Sequence, residues 1–107
     1  MIAPSHDAHG GLGRMLSAMF RPATAELQSS SQRRWASVTF NGARHRFSLR
    51  VSGDDADGAV AHAIGALAQQ DFALEGHVVA DIALVERHRS GPGLFEIELE
   101  ALTVEAG

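Results

Sequence analysis

The sequence contains no cysteine, no lysine and no long hydrophobic run. Without cysteine, the chain cannot form disulfide bonds, use a thiol in catalysis or bind a metal ion through thiolates. All 9 basic residues are arginine and 18 residues are alanine, a composition that indicates a GC-rich bacterial genome. The most apolar stretch near the start, Met15 to Phe20, is too short to span a membrane and lacks the features of a signal peptide. We therefore expect a cytoplasmic protein with no membrane span.

Length and composition are typical of a single globular domain. The chain has 107 residues, of which 45% are hydrophobic, enough for one modest core. Residues 1–34 carry four arginines and two acids, a net charge of +2, whereas residues 35–107 carry five arginines and eleven acids, a net charge of −6. Because an acidic surface repels phosphates, this distribution argues weakly against nucleic acid as the partner of the folded part.

The last third of the chain, Gly76 to Glu105, has the pattern of two long strands joined by a turn at residues 90–93. The second strand alternates apolar and acidic residues, the period-two pattern of a strand with one buried face. The apolar side comprises Phe95, Ile97, Leu99 and Ala101, and the acidic side comprises Glu96, Glu98 and Glu100. We expect the apolar side to face the core, together with Ile82 and Leu84 of the preceding strand.

The first 34 residues are predicted to form a flexible leader. Residues 1–11 have little to bury. A short amphipathic helix is predicted over residues 12–20, ending before Pro22, with Leu12, Met15, Leu16 and Met19 on its apolar side. So short a helix is unstable alone, so it must dock on its own domain, dock on a partner, or fray. Residues 23–32, rich in serine and glutamine, are predicted to be a polar linker.

From Trp35 onward, apolar and polar residues alternate along the sequence, the pattern of a strand. Residues 35–40 and 43–51 are predicted to pair as a hairpin, because the Asn41-Gly42 dipeptide between them favours a two-residue type I′ turn. The predicted core side comprises Ala36, Val38, Phe40, His45, Phe47, Leu49 and Val51. The predicted solvent side includes Trp35, Arg44, Arg46 and Arg50.

A helix is predicted from about Asp55 to Gln70, with Val60, Ile64 and Leu67 on its buried side. The predicted order is strand, strand, helix, strand, strand. The expected fold class is therefore α+β, a two-layer ββαββ domain over residues 35–105. It has a four-stranded, largely antiparallel sheet with one helix packed on one face.

The solvent side of the first hairpin, with Trp35, Arg44, Arg46 and Arg50, is a candidate binding surface. Arginines and an aromatic ring on an open sheet can hold single-stranded nucleic acid through phosphate contacts and stacking. Alternatively, the arginines pair with Glu96, Glu98 and Glu100 across the same face, since both sets lie opposite the core. We favour the second interpretation, and keep nucleic acid and a protein partner as alternatives.

Six histidines are the main candidates for acid–base or metal chemistry. His45 is expected on the core side of its strand as a partly buried, hydrogen-bonded side chain. His6 and His9 are expected to be solvated in the leader. Glu86 and His88 lie two residues apart on one strand face, a spacing compatible with a metal ion, but nothing else in the sequence completes such a site. We therefore expect neither a metal nor a cofactor, and we assign no catalytic residue.

These features favour a small non-enzymatic module that acts through self-association or through binding a protein partner. A homodimer is the simplest form. Its contact is expected at the final hairpin or at the helix of residues 12–20, because final strands of about 12 residues would project beyond the shorter strand 35–40. The expected contact residues are Leu12, Met15, Leu16, Met19, Val85 and Leu102.

Two alternatives from other functional classes stay open. One is a nucleic-acid-binding or regulatory module that uses the surface of Trp35, Arg44, Arg46 and Arg50. The other is a small-molecule-binding domain, or an enzyme, with a pocket between helix and sheet lined by His45.

Overall fold

The structure, a computed structural model, describes residues 8–69 and 72–106. In chain order its elements are α1 (Ala8–Ala18), β1 (Thr24–Ala36), β2 (Asn41–Ser52), α2 (Ala56–Ala66), β3 (His77–Gly91) and β4 (Leu94–Glu105). The prediction of an α+β fold with a four-stranded antiparallel sheet is confirmed. The described residues form two helices, however, where a single helix on the sheet was predicted.

The strands form one sheet in the order β1-β2-β4-β3, and all neighbouring strands are antiparallel. Two hairpins, β1–β2 and β3–β4, therefore meet along β2 and β4, and β1 and β3 are the edges. Helix α1 packs over β1 and β2, and α2 packs over β2 and β4. We call the side that carries both helices the helix face and the opposite side the open face.

The core lies between the two helices and the helix face. Its largest buried apolar side chains are Leu12, Leu16, Phe20, Phe47, Leu49, Val51, Val60, Ile97 and Leu99. Small residues let both helices approach the sheet closely. A Cβ on Gly13 of α1 would come within 3.1 Å of the Phe47 ring, and α2 buries Ala56, Ala59 and Ala63. No helix in the described part of the chain is long and apolar enough to cross a membrane.

The final hairpin forms as predicted. Phe95, Ile97, Leu99 and Ala101 are buried, because strict alternation places all four on the helix face. Ile82 and Leu84 of β3 are partly buried against the same core. Gly93 has a φ of +64° in the turn, and a Cβ there would come within 2.6 Å of the Gly53 carbonyl oxygen. The Gly53 N–H donates to the Gly93 carbonyl at 3.0 Å, which ties the turn to the end of β2.

The first hairpin differs from the prediction, because its turn lies at residues 37–40 and not at Asn41-Gly42. Trp35 pairs with Gly42 and Ala36 with Asn41. The Ser37 hydroxyl caps the turn by accepting the N–H groups of residues 39 and 40. This turn position allows β1 to pair with β2 along its whole length, whereas the predicted turn would leave a strand of six residues. The predicted core positions Val38 and Phe40 are consequently exposed.

The N-terminal part of the chain belongs to the same fold as the rest. Leu12, Leu16 and Phe20 are buried in the common core, so α1 docks on its own domain. The predicted polar linker is most of β1. Among residues 8–34 there is accordingly no separate leader, and residue 34 does not mark a structural boundary. The remainder of the predicted leader, residues 1–7 including His6, lies outside the described residues.

Helix α2 is shorter than predicted and ends at Ala66. Asp55 occupies its N-cap position, but the Asp55 side chain makes no capping hydrogen bond. The predicted last residue, Gln70, lies outside the described residues. Because β1 and β2 match the final hairpin in length, no part of that hairpin projects beyond the sheet, and the predicted overhang is wrong.

Candidate functional site

The open face carries a ladder of ion pairs between β2 and β4. In the register of these strands, Arg50 lies opposite Glu96 and Arg46 opposite Glu100. Arg46 contacts Glu98 at 3.0 Å and Glu100 at 2.5 Å, and Arg50 lies 3.8 Å from Glu96. The hydrogen bond to Glu100 raises the pKa of the Arg46 guanidinium. Two of the three predicted arginines are thus paired with the predicted glutamates, which removes most of the positive charge that nucleic acid would need.

Arg44 lies outside this ladder. It sits opposite Arg33 of β1 on one side and Leu102 of β4 on the other. In the described part of the chain, neither Arg33 nor Arg44 has a carboxylate oxygen within 4 Å. Like charges directly opposite each other in a sheet are destabilising. The open face therefore has an unbalanced positive site near its β1 edge.

Apolar side chains gather at the same end of the open face. Trp35 packs over Gly42, whose Cβ, if present, would come within 2.6 Å of the indole ring. Within the described residues the buried Trp35 Nε1 has no acceptor. Val78 and Val104 continue this row across the sheet, and Phe40 projects from the turn. Phe40 and Val78 are 53% and 55% exposed, so this end of the sheet presents apolar surface to water.

A chain of hydrogen-bonded side chains lies beneath the start of α1. His9 Nδ1 is 2.9 Å from His45 Nδ1, and His45 Nε2 is 2.9 Å from the Thr103 hydroxyl. His9 Nε2 is 2.9 Å from the Ser30 hydroxyl. The His9 ring also stacks on Phe47, with the ring centres 4.7 Å apart. These contacts join α1 to β1, β2 and β4.

The Thr103 hydroxyl fixes the direction of these hydrogen bonds. It donates to the Ala43 carbonyl at 3.4 Å, so its oxygen accepts a hydrogen bond from the His45 Nε2–H. His45 Nδ1 then accepts from His9 Nδ1, and in the neutral form of His9 its Nε2 accepts from Ser30. Every member of the chain is satisfied with both imidazoles neutral. Burial, then the nearby His9 and His77, lower the pKa of His45 to about 4, in agreement with a neutral ring.

The histidine predictions have mixed outcomes. His45 lies on the core side and is hydrogen-bonded, as predicted, but at 1% exposed it is fully buried and not partly buried. The prediction of a solvated His9 is wrong, since His9 bonds His45 and Ser30. A signal for this was present: His9 lies three residues before Leu12 and seven before Leu16, on the buried side of a helix that begins earlier than predicted.

Ser30, His9 and His45 have the arrangement of a nucleophile, a base and a group that orients the base. Of the three, His9 lines a groove of about 1020 Å³ between α1 and β1. Its lining includes Phe47 and Leu27, together with Arg14 and Arg21 on the α1 side. Chemically, the groove suits an apolar molecule with a negatively charged group. The groove is not the predicted pocket, which was expected beside His45 under the helix that begins near Asp55; His45 does not line this groove.

The other predicted residues do not converge on a site. Leu12 and Leu16 are buried in their own core, whereas Met15 and Met19 line a cleft between α1 and α2. Val85 is exposed on β3 and Leu102 is half-buried on the open face. Glu86 and His88 face Glu98 and Glu96 across β4. Within residues 8–69 and 72–106, no three acidic or histidine side chains cluster as metal ligands would.

The two edges of the sheet have different regularity. In β1 a single bulge, at Gln28, interrupts the pairing with β2, and Ser29 to Ala36 then pair without a break. In β3 three bulges interrupt the pairing with β4, at Ala80, Val85 and Ser90. No run in β3 exceeds four residues between bulges. Bulges at an edge hinder the addition of a further strand, so the β1 edge is the more receptive one.

No protein-family model matches the chain, and no curated protein or solved structure matches it either.

Proposed function

We propose that this protein is a small non-enzymatic module that binds another polypeptide along the edge of β1, either a second copy of itself or a protein partner. The observation that carries the proposal is the unbulged run Ser29 to Ala36 at an edge of the sheet. Apart from Trp35, the side chains of this run are exposed. Unpaired backbone groups at such an edge are a template for an added strand.

The backbone groups available at this edge can be identified from the hairpin turn. The Ser37 N–H donates to the Phe40 carbonyl at 2.7 Å, and groups that bond the neighbouring strand recur at every second residue. The residues whose N–H and C=O groups face β2 are therefore 35, 33 and 31. Those whose groups face away from the sheet are Ala36, Arg34, Gln32 and Ser30. An incoming strand would pair with this second set.

The non-enzymatic part of the proposal is supported by how the buried histidine is used. Both ring nitrogens of His45 bond protein atoms, so neither faces a substrate. The ion pairs of the open face likewise join arginines to glutamates of the same chain. These groups act as structural links between elements.

Proline at position 32 tests the proposal. Gln32→Pro removes an N–H that faces outward and leaves the hydrogen bonds to β2 in place, so the fold should persist. We expect light scattering to give an oligomeric mass for the wild type and for Gln32→Ala, which keeps the N–H. The Gln32→Pro variant should have the monomer mass and a similar circular dichroism spectrum. An oligomer that survives Gln32→Pro would show that the β1 edge is not the contact.

One observation favours a second candidate function, a small-molecule site in the α1–β1 groove. When His9 is neutral, the Ser30 hydroxyl donates to its Nε2 and His45 orients the ring, so the Ser30 oxygen is placed for activation. A fluorophosphonate probe should then label Ser30 in the wild type and fail to label His9→Ala, with Ser31→Ala as the matched control. Equal labelling of Ser30 and Ser31 would remove this candidate.

A further inference from the structure

We propose that the polypeptide bound along β1 is a second copy of this chain, paired antiparallel about a two-fold axis at Ser30. Glu26 of each copy would then lie opposite Arg33 of the other. This inference rests on the proposed function and specifies its partner. Two four-stranded sheets would join into one sheet of eight strands, with both pairs of helices on the same side.

This pairing crosses the single bulge of β1, at Gln28, in each copy, and the bulge sets which residues meet. Residues along a strand alternate between faces, so Glu26 and Arg33, seven positions apart, would lie on opposite faces of a regular strand. Gln28 has no pairing partner in β2, and the bulge shifts the alternation by one residue. Glu26 and Arg33 consequently both lie on the open face, where their partners in β2 are Arg50 and Arg44.

Three two-fold registers overlap most of β1 and join like faces of the two sheets, with the axis at Ser29, Ser30 or Ser31. They differ in what Glu26 meets. An axis at Ser29 places Glu26 opposite Ser31, and an axis at Ser31 places it opposite Trp35. Among the three, the axis at Ser30 is the one that sets Glu26 opposite Arg33.

Charge complementarity favours the register centred on Ser30. Arg33 faces Arg44 across the sheet, and within the described residues neither arginine has a carboxylate partner. Directly opposed residues of antiparallel strands have Cβ atoms about 4.5–5.5 Å apart, within reach of an ion pair. Glu26 of the second copy would thus supply the carboxylate that Arg33 lacks.

A second copy is the partner that this edge fits best. The same strand carries both the unpaired arginine and an acid at the symmetric position. A two-fold axis therefore forms two ion pairs with one surface. The centre of the pairing, Ser29 to Ser31, is uncharged, so no like charges meet at the axis.

Charge reversal provides a test with internal rescue. With Glu26→Arg alone, an arginine at position 26 of each copy would face Arg33 of the other. With Arg33→Glu alone, a glutamate at position 33 would face Glu26 of the other copy. We expect either variant alone to raise the dimer dissociation constant about tenfold or more, measured by sedimentation. An equimolar mixture of the two variants should dimerise again, because each introduced charge then meets its opposite. Glu86→Arg on β3 changes the net charge as much as Glu26→Arg and should leave the dimer intact.

Cysteine pairs measure the same register directly, since the natural chain contains no cysteine. In the register centred on Ser30, Ser29 of one copy lies opposite Ser31 of the other. A mixture of Ser29→Cys and Ser31→Cys should form a disulfide-linked dimer under mild oxidation much faster than either variant alone. Faster linking of Ser29→Cys alone, or of Ser31→Cys alone, would place the axis at that residue and overturn the inference.

The outcomes separate this inference from the proposal on which it rests. Suppose that Gln32→Pro dissociates the dimer but that the charge-reversal mixture does not restore it. The β1 edge would then be the contact, and the register centred on Ser30 would be wrong. A dimer unaffected by both would reject the edge. A wild type that stays monomeric at high micromolar concentration would overturn the inference and, with it, self-association.

Discussion

The two edges of the sheet, β1 and β3, are attached to the rest of the molecule in different ways. The inner side of β3 packs Val79, Ile82 and Leu84 against the core. Near its end, Arg89 lies 3.7 Å from Asp57 of α2. On β1, the helix side carries Leu27, which is 49% exposed, followed by polar residues. Its side-chain link to α1 is the bond between Ser30 and His9.

Of the two edges, β3 is therefore the less able to accept a further strand. β3 combines a partly buried apolar side with three bulges, so its backbone is twisted and interrupted. β1 is regular for eight residues and has little apolar burial to hold it in place. A strand added at β1 would pair with its free backbone groups. A strand added at β3 would have to follow the bulges of that edge.

The largest loss of stability is expected from truncating a buried side chain at the centre of the sheet, and losses at the two edges can be compared with it. Ile97→Ala in β4 should lower the free energy of unfolding by about 2–5 kcal/mol, through lost burial and a cavity. Leu27→Ala on the β1 edge is the matched control and should cost less than about 1 kcal/mol, because the side chain is already half exposed. Urea unfolding measures both, and equal losses would show that β1 is as tightly packed as the centre.

Acid should loosen the β1 side of the sheet before the β3 side. The pKa of His45 falls from its ordinary 6.5 to about 4 in the folded protein, so between these values the unfolded chain binds the extra proton. The contribution of the neutral His45 to the free energy of unfolding is therefore complete above pH 6.5. It decreases as the pH falls towards 4, by about 3 kcal/mol at most. Protonating His45 would also remove the acceptor of the His9 bond.

Hydrogen exchange followed by mass spectrometry at pH 7 and pH 5 would measure this acid effect by region. Corrected for the intrinsic rate, exchange should increase more in α1 and β1 than in β3. The exposed His62→Gln variant serves as the control and should show the same profile as the wild type. Uniform protection of β1 and β3 at both values would contradict the expectation.

Thr103→Val should have the next largest effect, of about 1–3 kcal/mol, because it leaves the His45 Nε2–H without an acceptor inside the protein. Thr103→Ser keeps the hydroxyl and should recover most of the loss. Thermal melting of the two variants measures the difference. If Thr103→Val and Thr103→Ser have the same melting temperature, the histidine chain does not contribute to the attachment of α1.

The ion-pair ladder should give the smallest effect. It joins the two hairpins at the centre of the open face and is partly exposed to water, so its pairs are screened by salt. A double-mutant cycle of Arg46→Ala and Glu100→Ala should show a favourable coupling that decreases as sodium chloride is added. The same cycle with Arg50 and Glu96, whose contact is longer, should show less coupling.

Local patterns in the sequence determined the second hairpin, the buried side of α2 and the pairing of arginines with glutamates. The reason is that β4 is buried on one face and solvated on the other, so its period of two appears directly in the order of residues. The arginines of β2 follow the same rule. Once both strands are assigned their inner faces, their charged faces must meet.

The extent of β1, the position of its turn and the partner of His9 depend on contacts between distant parts of the chain. β1 is polar on both faces, because it is an edge strand and little of it is covered, so no period marks it in the sequence. The local preference of Asn41-Gly42 for a turn was outweighed by the longer ladder that β1 forms with β2. The bond between His9 and His45 joins residues 36 positions apart, and it depends on α1 first docking over Phe47.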